Sequence, residues 1–270
     1  MIAILIFNYK LHKADKPYII KNVEKNIINP AGIFCLIPAF DEKGNLAELT
    51  QRLVTVLQKT GIKFKIFFVL QGNISNRKTA VKLKREYPQV DFIYYPKALG
   101  IGRAYQLGFL HVDKKYSHIL TLDADLNHQP EELPKFLTAW KKTRPDIIIG
   151  SRYIRGGKFQ DNRIWKRICS FTTNMFVTKL LKIDVHDITS GYRLIRKEAA
   201  ETIAGKLKEK GYPSYMEFIL LAQKSGFSIK EIPISYIPRK WGKSKMGKIT
   251  TLFNYFLFLP KAFLFFKNPD

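Results

Sequence analysis

Residues 118–132, HILTLDADLNHQPEE, join an apolar, strand-like run to a cluster of polar side chains. Asp123 and Asp125 follow the run one residue apart, and residues i and i+2 at the end of a strand project the same way. Asn127 takes the next position on that side. Two carboxylates so placed can hold a hard divalent cation, which in turn can bind a diphosphate. Since an isolated Asp-x-Asp pair is more often a solvated turn, the rest of the chain has to decide between these interpretations.

Short β-rich runs alternate with amphipathic helical stretches on either side of this segment. The first helix is expected to begin near Asn45, with Glu48 completing a capping box. The pattern predicts helices between strands at 32–38, 65–70, 91–95, 118–122 and 145–150. Strands separated by helices favour a doubly wound, mostly parallel α/β sheet, which binds ligands at the carboxyl ends of its strands. Four residues come just after the expected strand ends, namely Asp41, Gln71, Gly100 and Asp123.

The pattern changes after Arg152. A loop and a helix are expected over 153–181, and a βα unit, a helix and a strand then complete the domain near residue 235. A basic arm, PRKWGKSKMGK at 238–248, leads directly into an apolar tail. We therefore divide the chain into three parts. They are an N-terminal extension of unknown role (1–31), one catalytic-type domain (32–237) and a C-terminal basic loop with its tail (238–270).

The charge of the chain points to an anionic partner. Its 270 residues include 46 Lys and Arg against 22 Asp and Glu, a formal net charge of +24. Such an excess predicts binding to nucleic acid, to an anionic membrane surface or to phosphorylated ligands. No nucleic-acid recognition motif accompanies the charge, so we expect no nucleic-acid partner. Cys35 and Cys169 are the only cysteines, which excludes a disulfide framework or a cysteine-based metal site and fits a reducing compartment.

Two apolar segments bear on membrane contact. The first residues, MIAILIF, lack the basic region of a secretory signal and are too few to span a bilayer, and they fit either a strand or a peripheral contact. The segment Thr251 to Phe266 is interrupted by Pro260 and Lys261, so it falls short of the roughly 20 apolar residues of a spanning helix. We expect this tail to lie as an amphipathic helix in a membrane interface. The protein would then be peripheral, on the cytoplasmic face of a membrane.

Six motifs in a fixed order carry a resemblance that covers roughly residues 32–250. They are LIPAFDEKGNL (36–46), PKALGIGRAYQLGF (96–109), LDADLNHQPEELP (122–134), GSRY (150–153), DITSGYRLIRK (187–197) and RKWGKSKMGK (239–248). The first three resemble the nucleotide and metal segments of family-2 glycosyltransferases of the GT-A fold, whose nucleotide-binding half is Rossmann-like. The last three resemble those of the dolichyl- or polyprenyl-phosphate mannosyltransferases. Any one motif is weak, but six in order are specific.

The resemblance implies transfer of a hexosyl group from a nucleotide diphosphate sugar to a polyprenyl phosphate, with inversion. It implies Mg²⁺ or Mn²⁺ held by Asp123, Asp125 and Asn127, where the family usually carries Gln in place of Asn127. The shorter amide would reach the metal through water. GDP-mannose is the default donor, and a UDP-hexose is left open.

The resemblance also assigns residues to the two substrates. The expected catalytic residues are Asp123, Asp125, Arg152, Arg239 and Lys245. The nucleotide sugar would contact Pro38, Phe40, Asp41, Glu42, Gln71, Gly100, Gly102, Arg103, Asp123, Ala124 and Asp125. The acceptor phosphate would be bound by Arg152, Lys166, Arg167, Ser170, Arg239 and Lys245, with Lys243 and Ser244 in the same basic arm. Asp187, Ser190, Gly191, Tyr192 and Arg193 match an acceptor-side turn, although an ordinary turn with an Asp–Arg pair explains them equally well.

One loop departs from the family pattern. After the second strand the family has an acidic loop that fixes the nucleotide base, whereas this chain has VLQGNISN, with Leu70 and Gln71 in the acidic positions. Gln71 can hydrogen-bond a base without charge. The departure leaves the donor open between GDP-mannose and a UDP-hexose, and it leaves room for a non-catalytic homologue that binds nucleotide or lipid. A glycosyltransferase that acts on another lipid or glycan is a separate alternative, which the acceptor-side Arg and Lys positions disfavour. Glu217 is expected to be structural, and His128 to lie behind the metal residues or at the surface.

Overall fold

A seven-stranded sheet forms the centre of the part of the chain that the structure, a computed structural model, describes: residues 29–161, 164–239 and 248–267. Nine strands lie in these ranges: β1 Ile33–Phe40, β2 Phe64–Gln71, β3 Val90–Tyr95, β4 His118–Thr121, β5 Ile147–Ser151, β6 Lys158–Phe159, β7 Arg193–Arg196, β8 Ile229–Pro233 and β9 Ser235–Tyr236. The large sheet has the order β3-β2-β1-β4-β7-β5-β8, and β6 pairs with β9 in a small second sheet. The expected doubly wound, mostly parallel sheet is confirmed.

Strand β7 runs opposite to its neighbours. It pairs antiparallel with both β4 and β5, whereas the other pairs of the large sheet are parallel. The amino end of β7 therefore lies at the same edge of the sheet as the carboxyl ends of β1, β2, β4 and β5. This reversal brings the 187–192 turn to the edge where parallel strands place their ligand-binding residues.

Eight α-helices lie in the described ranges: α1 Lys43–Thr60, α2 Ile74–Glu86, α3 Ile101–Phe109, α4 Leu133–Thr143, α5 Ile164–Leu180, α6 Lys197–Ala204, α7 Ser214–Lys224 and α8 Lys248–Lys267. The capping box expected at the start of α1 is wrong. The helix begins at Lys43, and the amide of Asn45 donates to the Glu42 carboxylate (2.6 Å) inside the first turn. Helix α2 begins inside the QGNISN loop, because the side chain of Asn73 caps it by accepting from Ser75 N (2.9 Å).

The helices cover both faces of the sheet. Side chains alternate along β1, so that Ile33, Cys35 and Ile37 pack with α1, α2 and α4, while Phe34 and Leu36 face the other way. That second face packs against α3, α5, α6 and α7. Burial on both faces explains why β1 and β2 are almost continuously apolar.

Helix α8 packs against the domain through one of its faces. Phe258 and Ala262 are buried in the core beside α7, and Lys261 forms an ion pair with Glu209 (3.0 Å). Leu257 and Leu264 stay exposed on the outer face. None of the helices within the described ranges is long and apolar enough to cross a membrane. The interfacial tail and the domain boundaries at 31/32 and 237/238 stay predictions.

Candidate active site

Four polar residues and a glycine, each next to a different strand end, meet at one edge of the large sheet. Asp41 follows β1, Gln71 ends β2, Asp123 follows β4 and Arg152 follows β5. Gly191 comes to the same edge because β7 runs in the opposite direction. The alternation of strands and helices thus brings together residues that are up to 150 positions apart in the sequence.

Asp125 is a buried carboxylate with two different neighbours. Its Oδ1 accepts from the backbone N–H of Asn127 (3.1 Å), and the guanidinium of Arg239 donates to its Oδ2 (2.7 Å). Burial and the negative charge of Asp123 raise the pKa of Asp125 to about 6, although Arg239 opposes the rise. One arginine therefore leaves the charge of this carboxylate only partly compensated.

Asp123 is held in place by residues behind it. The hydroxyl of Tyr215 donates to its Oδ1 (2.9 Å), and its backbone N–H donates to Nδ1 of His128 (3.3 Å). Burial lowers the pKa of His128 to about 4, so the imidazole is neutral near pH 7 and its 3.5 Å approach to the Asp123 carboxylate is not an ion pair. His128 is buried behind the Asp-x-Asp segment.

The residues expected to hold a metal suit a divalent cation that also binds a substrate phosphate. Asn127 Oδ1 is buried and has no hydrogen-bond partner within the described part of the chain, so it is an oxygen in need of a ligand. No group of three or more His, Cys, Asp or Glu side chains that could hold a metal is found in the same ranges. Two carboxylates and an amide would thus form an incomplete set of ligands, which Mg²⁺ in particular completes with water and phosphate oxygens.

The loop after β1 is organised around Asp41. This residue adopts a left-handed backbone (φ 53°), and its Oδ1 accepts from the backbone N–H of Asn73 (2.6 Å). Asp41 thereby ties the β1 loop to the start of α2. Glu42 lies 3.7 Å from the guanidinium of Arg239. Phe40, at the end of β1, is partly exposed. Pro38 is buried inside β1 rather than in the loop.

Gln71 joins two loops of the expected nucleotide site. Its Oε1 accepts from the backbone N–H of Leu99 (2.7 Å), so the amide oxygen is used by the protein itself. The side chain is buried at the end of β2. The amide nitrogen is the part of this side chain that can serve a ligand, and it can only donate.

Two glycines near the start of α3 have packing reasons of their own. Gly100 has φ 86°, and a side chain at Gly100 or Gly102 would collide with the backbone of residues 209–210. Arg103 is exposed and donates to Gln106. Contact of these three residues with a nucleotide stays a prediction, as it does for Ala124, which is buried in the core.

Arg152 and Asp187 form a closed pair on the other side of the site. Nε and Nη2 of Arg152 donate to the two oxygens of Asp187 (2.8 and 2.7 Å), and Nη2 also donates to Thr189 (2.8 Å). Burial acts to raise the pKa of Asp187, but the charge and hydrogen bonds of Arg152 outweigh it and hold this pKa below its usual value. The rings of Phe159 and Tyr236 lie against the guanidinium. Asp187 thus pairs with Arg152, which follows β5, and not with an arginine of its own turn as expected.

Arg193 has a different task. It is buried and donates to the backbone carbonyls of Ser190, Ile188 and Tyr215 (2.8–3.0 Å), which fixes the turn before β7 to α7. The carboxylate of Glu217 accepts from the backbone N–H groups of residues 208 and 209. Both side chains thus stabilise loops.

The acceptor-side residues of α5 are only partly described. Ser170 accepts from the hydroxyl of Tyr153 (2.7 Å), which links α5 to the residue next to Arg152. Arg167 is exposed one turn earlier. Lys166 belongs to α5, but its side chain lies outside the described part, and Lys243, Ser244 and Lys245 lie outside the described residues altogether.

Two contacts of the site could not be found from the sequence. Tyr215 holds Asp123 from 92 positions away, and Asp187 pairs with Arg152 across 35 positions. Gly191 adds a third link, because a side chain there would meet both Asp123 Oδ1 and the Tyr215 hydroxyl. The motifs containing Arg152, Asp187 and Gly191 were recognisable, but their partners follow only from the reversed strand.

Comparisons with known proteins agree with this architecture. The sequence model of Glycosyl transferase family 2 matches residues 34–204. A polyprenol monophosphomannose synthase from Mycolicibacterium smegmatis is 38% identical over 162 residues, which cover 59% of this chain and 60% of that protein. An undecaprenyl-phosphate mannosyltransferase from Micrococcus luteus is 32% identical over 164 residues, covering 60% of this chain and 67% of that protein.

A solved structure shares the fold. It is the glucosyl-3-phosphoglycerate synthase from Mycobacterium tuberculosis in complex with Mn²⁺, uridine diphosphate and glucosyl-3-phosphoglycerate. The match has a TM-score of 0.64 at 12% identity and covers 88% of this chain and 81% of that chain. So low an identity supports a likeness of fold alone.

The chain belongs to glycosyl transferase family 2. It has the GT-A fold that the sequence motifs predicted. The matched region spans about three fifths of the length of the first curated relative and 67% of the second.

Proposed function

We propose that the protein transfers a hexosyl group, mannose by default, from a nucleotide diphosphate sugar to a polyprenyl or dolichyl phosphate. The names of the two curated relatives support a polyprenyl phosphate acceptor and mannose as the sugar. The transfer would be one displacement with inversion, assisted by Mg²⁺ or Mn²⁺. The protein would act as a peripheral enzyme at the cytoplasmic face of a membrane.

The pair of carboxylates at the end of β4 carries this proposal. Asp123 and Asp125 lie at the edge where α/β sheets bind nucleotides, and the unpartnered oxygen of Asn127 is two residues further on. A divalent cation bound there would neutralise the leaving diphosphate. The Mn²⁺ and uridine diphosphate in the solved structure of similar fold are consistent with this role.

Arg239 would complete the charge compensation on the donor side. Its guanidinium lies between Asp125 (2.7 Å) and Glu42 (3.7 Å). A diphosphate bound at this edge would carry more negative charge than a single carboxylate. Its oxygens would therefore be stronger acceptors for the guanidinium of Arg239. We therefore expect Arg239 to contact the diphosphate, and Lys245 to follow from the same arm.

The acceptor needs positioning rather than activation. A lipid phosphate is anionic at neutral pH, so its oxygen can attack the anomeric carbon without a general base while the bond from that carbon to the diphosphate oxygen breaks. Arg167 and Ser170 on α5, with Lys166, would bind this phosphate. Arg152 uses Nε and Nη2 for Asp187 and Thr189, so Nη1 is the nitrogen with which it would approach the phosphate.

The donor base would meet Gln71. Because its Oε1 accepts from Leu99, this side chain would donate its amide N–H to a carbonyl oxygen of the base. An acidic residue at this position would instead accept from a base N–H. Both guanine and uracil carry suitable carbonyl oxygens, so the proposal keeps GDP-mannose and UDP-hexoses as candidate donors.

A transfer assay tests the proposal. Purified full-length protein would be incubated with a short polyprenyl phosphate, Mg²⁺ or Mn²⁺, and a panel of radiolabelled GDP- and UDP-sugars. We expect label to move into the organic phase with one donor and the transfer to stop when the metal is chelated. The Asp125→Asn variant should lower this transfer by about a thousandfold, since it weakens the metal site that stabilises the leaving diphosphate.

Asp113→Asn is the matched control, because Asp113 is an exposed carboxylate on the loop between α3 and β4. Transfer by this variant should equal that of the wild type. Label that enters a glycan or another lipid would establish a different acceptor. Nucleotide binding that depends on metal, without transfer from any donor, would sink the proposed reaction.

A further inference from the structure

Helix α5 exposes an apolar stripe along its first three turns. Ile164, Ile168, Phe171 and Met175 follow one another at spacings of four, three and four residues, which places them on one face of the helix. All four are exposed, with Ile164 at 67% and Ile168 at 56% of their full accessible surface. The opposite face, with Asn174 and Val177, is buried against the domain. The stripe therefore faces outward.

Exposed apolar residues are unevenly distributed over the protein. Of the twelve large apolar side chains that are exposed in the described part of the chain, six lie on α5 and three on α8. Isolated exposed apolar residues are ordinary, but a contiguous set of them usually marks a surface that binds a partner. Nothing within the described ranges covers the stripe.

The charge of α5 indicates what kind of partner the stripe fits. The helix contains Lys166, Arg167 and Lys179 and no acidic residue, and Lys182 follows it. Arg167, Lys179 and Lys182 are exposed. An apolar helix face flanked by cations is the composition of helices that lie in the interface of an anionic bilayer. The net charge of +24 acts in the same direction.

The stripe is continuous with the acceptor side of the site. Phe171 packs edge-on against the ring of Tyr153 (5.6 Å), the residue next to Arg152. Phe171 and Met175 also line a groove of about 300 Å³ between α5 and the 183–186 segment. A lipid phosphate whose chain stays in the bilayer must reach the site from the membrane surface. The α5 side is where the expected acceptor-phosphate residues and exposed apolar residues coincide.

We propose that the exposed face of α5 docks into the interface of an anionic bilayer, so that the catalytic domain contacts the membrane directly and independently of the C-terminal tail. The choice of a bilayer as partner rests on the proposed function. The docked helix would insert Ile164, Ile168, Phe171 and Met175 among the lipid headgroups. Its cations would bind the anionic lipids, and Ser170 would then be held at the level of a lipid phosphate.

Vesicle binding by the full-length chain tests this docking. The variant Ile164→Ser/Ile168→Ser/Met175→Ser removes three of the four exposed side chains of the stripe without opening the core. We expect its partition onto phosphatidylglycerol-containing vesicles to fall by about tenfold or more, because each exposed apolar side chain that enters the interface adds to binding. Raised salt should weaken binding of the wild type, and vesicles of phosphatidylcholine alone should bind it less.

The matched control is Ile74→Ser/Leu110→Ser, which removes exposed apolar side chains from α2 and from the end of α3. This control should bind vesicles as the wild type does. Both variants should keep the thermal unfolding midpoint of the wild type. The α5 variant should also retain transfer to a short, water-soluble prenyl phosphate in the absence of vesicles, while transfer to acceptor embedded in vesicles falls.

Two outcomes would overturn the docking proposal. One is unchanged vesicle binding by the α5 variant. The other is a wild type that dimerises in the absence of lipid while the α5 variant stays monomeric, because the face would then be an interface between two copies. If the wild type transfers no sugar yet loses vesicle binding through the α5 substitutions, docking stands and the proposed reaction fails.

Discussion

Two arginine–carboxylate pairs lie on opposite sides of the site, and they differ in almost every respect. Arg152 holds Asp187 with two hydrogen bonds in an enclosed, aromatic setting, and the pKa of Asp187 is lowered. Arg239 holds Asp125 with one hydrogen bond, and the pKa of Asp125 is raised to about 6. Both carboxylates are buried, so burial alone does not set the direction. The neighbours do: Asp187 has two hydrogen bonds from the Arg152 guanidinium, whereas Asp125 has one from Arg239 and the negative charge of Asp123 beside it. This difference distinguishes a structural ion pair from a carboxylate that we expect to exchange its cation.

Loss of the pair formed by Arg152 and Asp187 should lower the free energy of unfolding most. Arg152→Met leaves Asp187 buried without its cation, and we expect a loss of about 3–5 kcal/mol in the free energy of unfolding. Denaturant-induced unfolding followed by circular dichroism measures this loss. Arg155→Met, at an exposed position three residues away, should change the stability by less than about 0.5 kcal/mol. Equal losses of stability in Arg152→Met and Arg155→Met would show that the pair of Arg152 and Asp187 is not a structural support.

The pair formed by Asp125 and Arg239 should make the protein less stable as the pH rises. The pKa of Asp125 goes from its ordinary 3.8 to about 6 in the folded protein, which binds the proton more tightly than the unfolded chain does. Asp125 therefore destabilises the metal-free protein progressively between about pH 4 and pH 6, and fully above pH 6.

Asp125→Asn should abolish this dependence and raise the metal-free stability at pH 7 by about 1–3 kcal/mol. Thermal unfolding of both proteins at a series of pH values, with EDTA present, measures the effect. In the wild type, Mn²⁺ should restore the stability above pH 6, since a cation favours the ionised carboxylate. A variant that is less stable than the wild type at pH 7 would contradict the uncompensated charge of Asp125.

A smaller effect is expected where the donor side meets the base. Gln71→Glu keeps an oxygen for the Leu99 N–H but replaces the amide nitrogen with a second, negatively charged oxygen. If the nitrogen donates to a carbonyl of the base, KM for the donor should rise about tenfold while kcat changes little. Steady-state kinetics at a fixed acceptor concentration measures both. A lower KM would mean that this side chain accepts from a base N–H.

The smallest expected effect concerns competition between Arg239 and a metal ion for Asp125, and it tests most directly how the two arginine–carboxylate pairs differ. Arg239 donates to Asp125, one of the carboxylates expected to bind the metal, so the two cations should compete for it. Arg239→Met should then bind Mn²⁺ a few times more tightly than the wild type in the absence of nucleotide. Isothermal titration calorimetry measures the affinity, and Arg239→Lys, which keeps the charge, is the control. Weaker Mn²⁺ binding by the methionine variant would show that Arg239 supports the metal site.

The sequence predicted the fold well wherever the signal was local. The apolar runs at β1, β2 and β5 and the helix at α7 are recognisable because burial on both faces or helical spacing leaves a pattern in consecutive residues. The reversal of β7 leaves no such pattern, since RLIR resembles a parallel strand equally well. The start of α1 was misplaced because Asn45 resembles a helix cap, although it donates to Glu42 from within the helix.

Sequence motifs identified the residues of the candidate site, but they did not show which of these residues contact one another. Asp123, Asp125, Arg152 and Asp187 all belong to recognisable segments, and the position of Asp123 just after a predicted strand indicated the correct edge. Which arginine would meet which carboxylate depends on the order of the strands, and that order depends on β7. The stripe on α5 was hidden for another reason. Its apolar residues have the spacing of an ordinary buried helix, and only the structure shows that they face outward.

The close approach of Gly191 to Asp123 couples the turn before β7 to the end of β4. A side chain at Gly191 would lie 2.9 Å from Asp123 Oδ1, so the turn before β7 packs directly against a carboxylate that is expected to bind the metal. A displacement of the turn when a lipid phosphate binds would be passed to Asp123 within a single residue. If the proposed function is correct, a substitution in this turn that alters acceptor preference should also alter the affinity for the sugar donor.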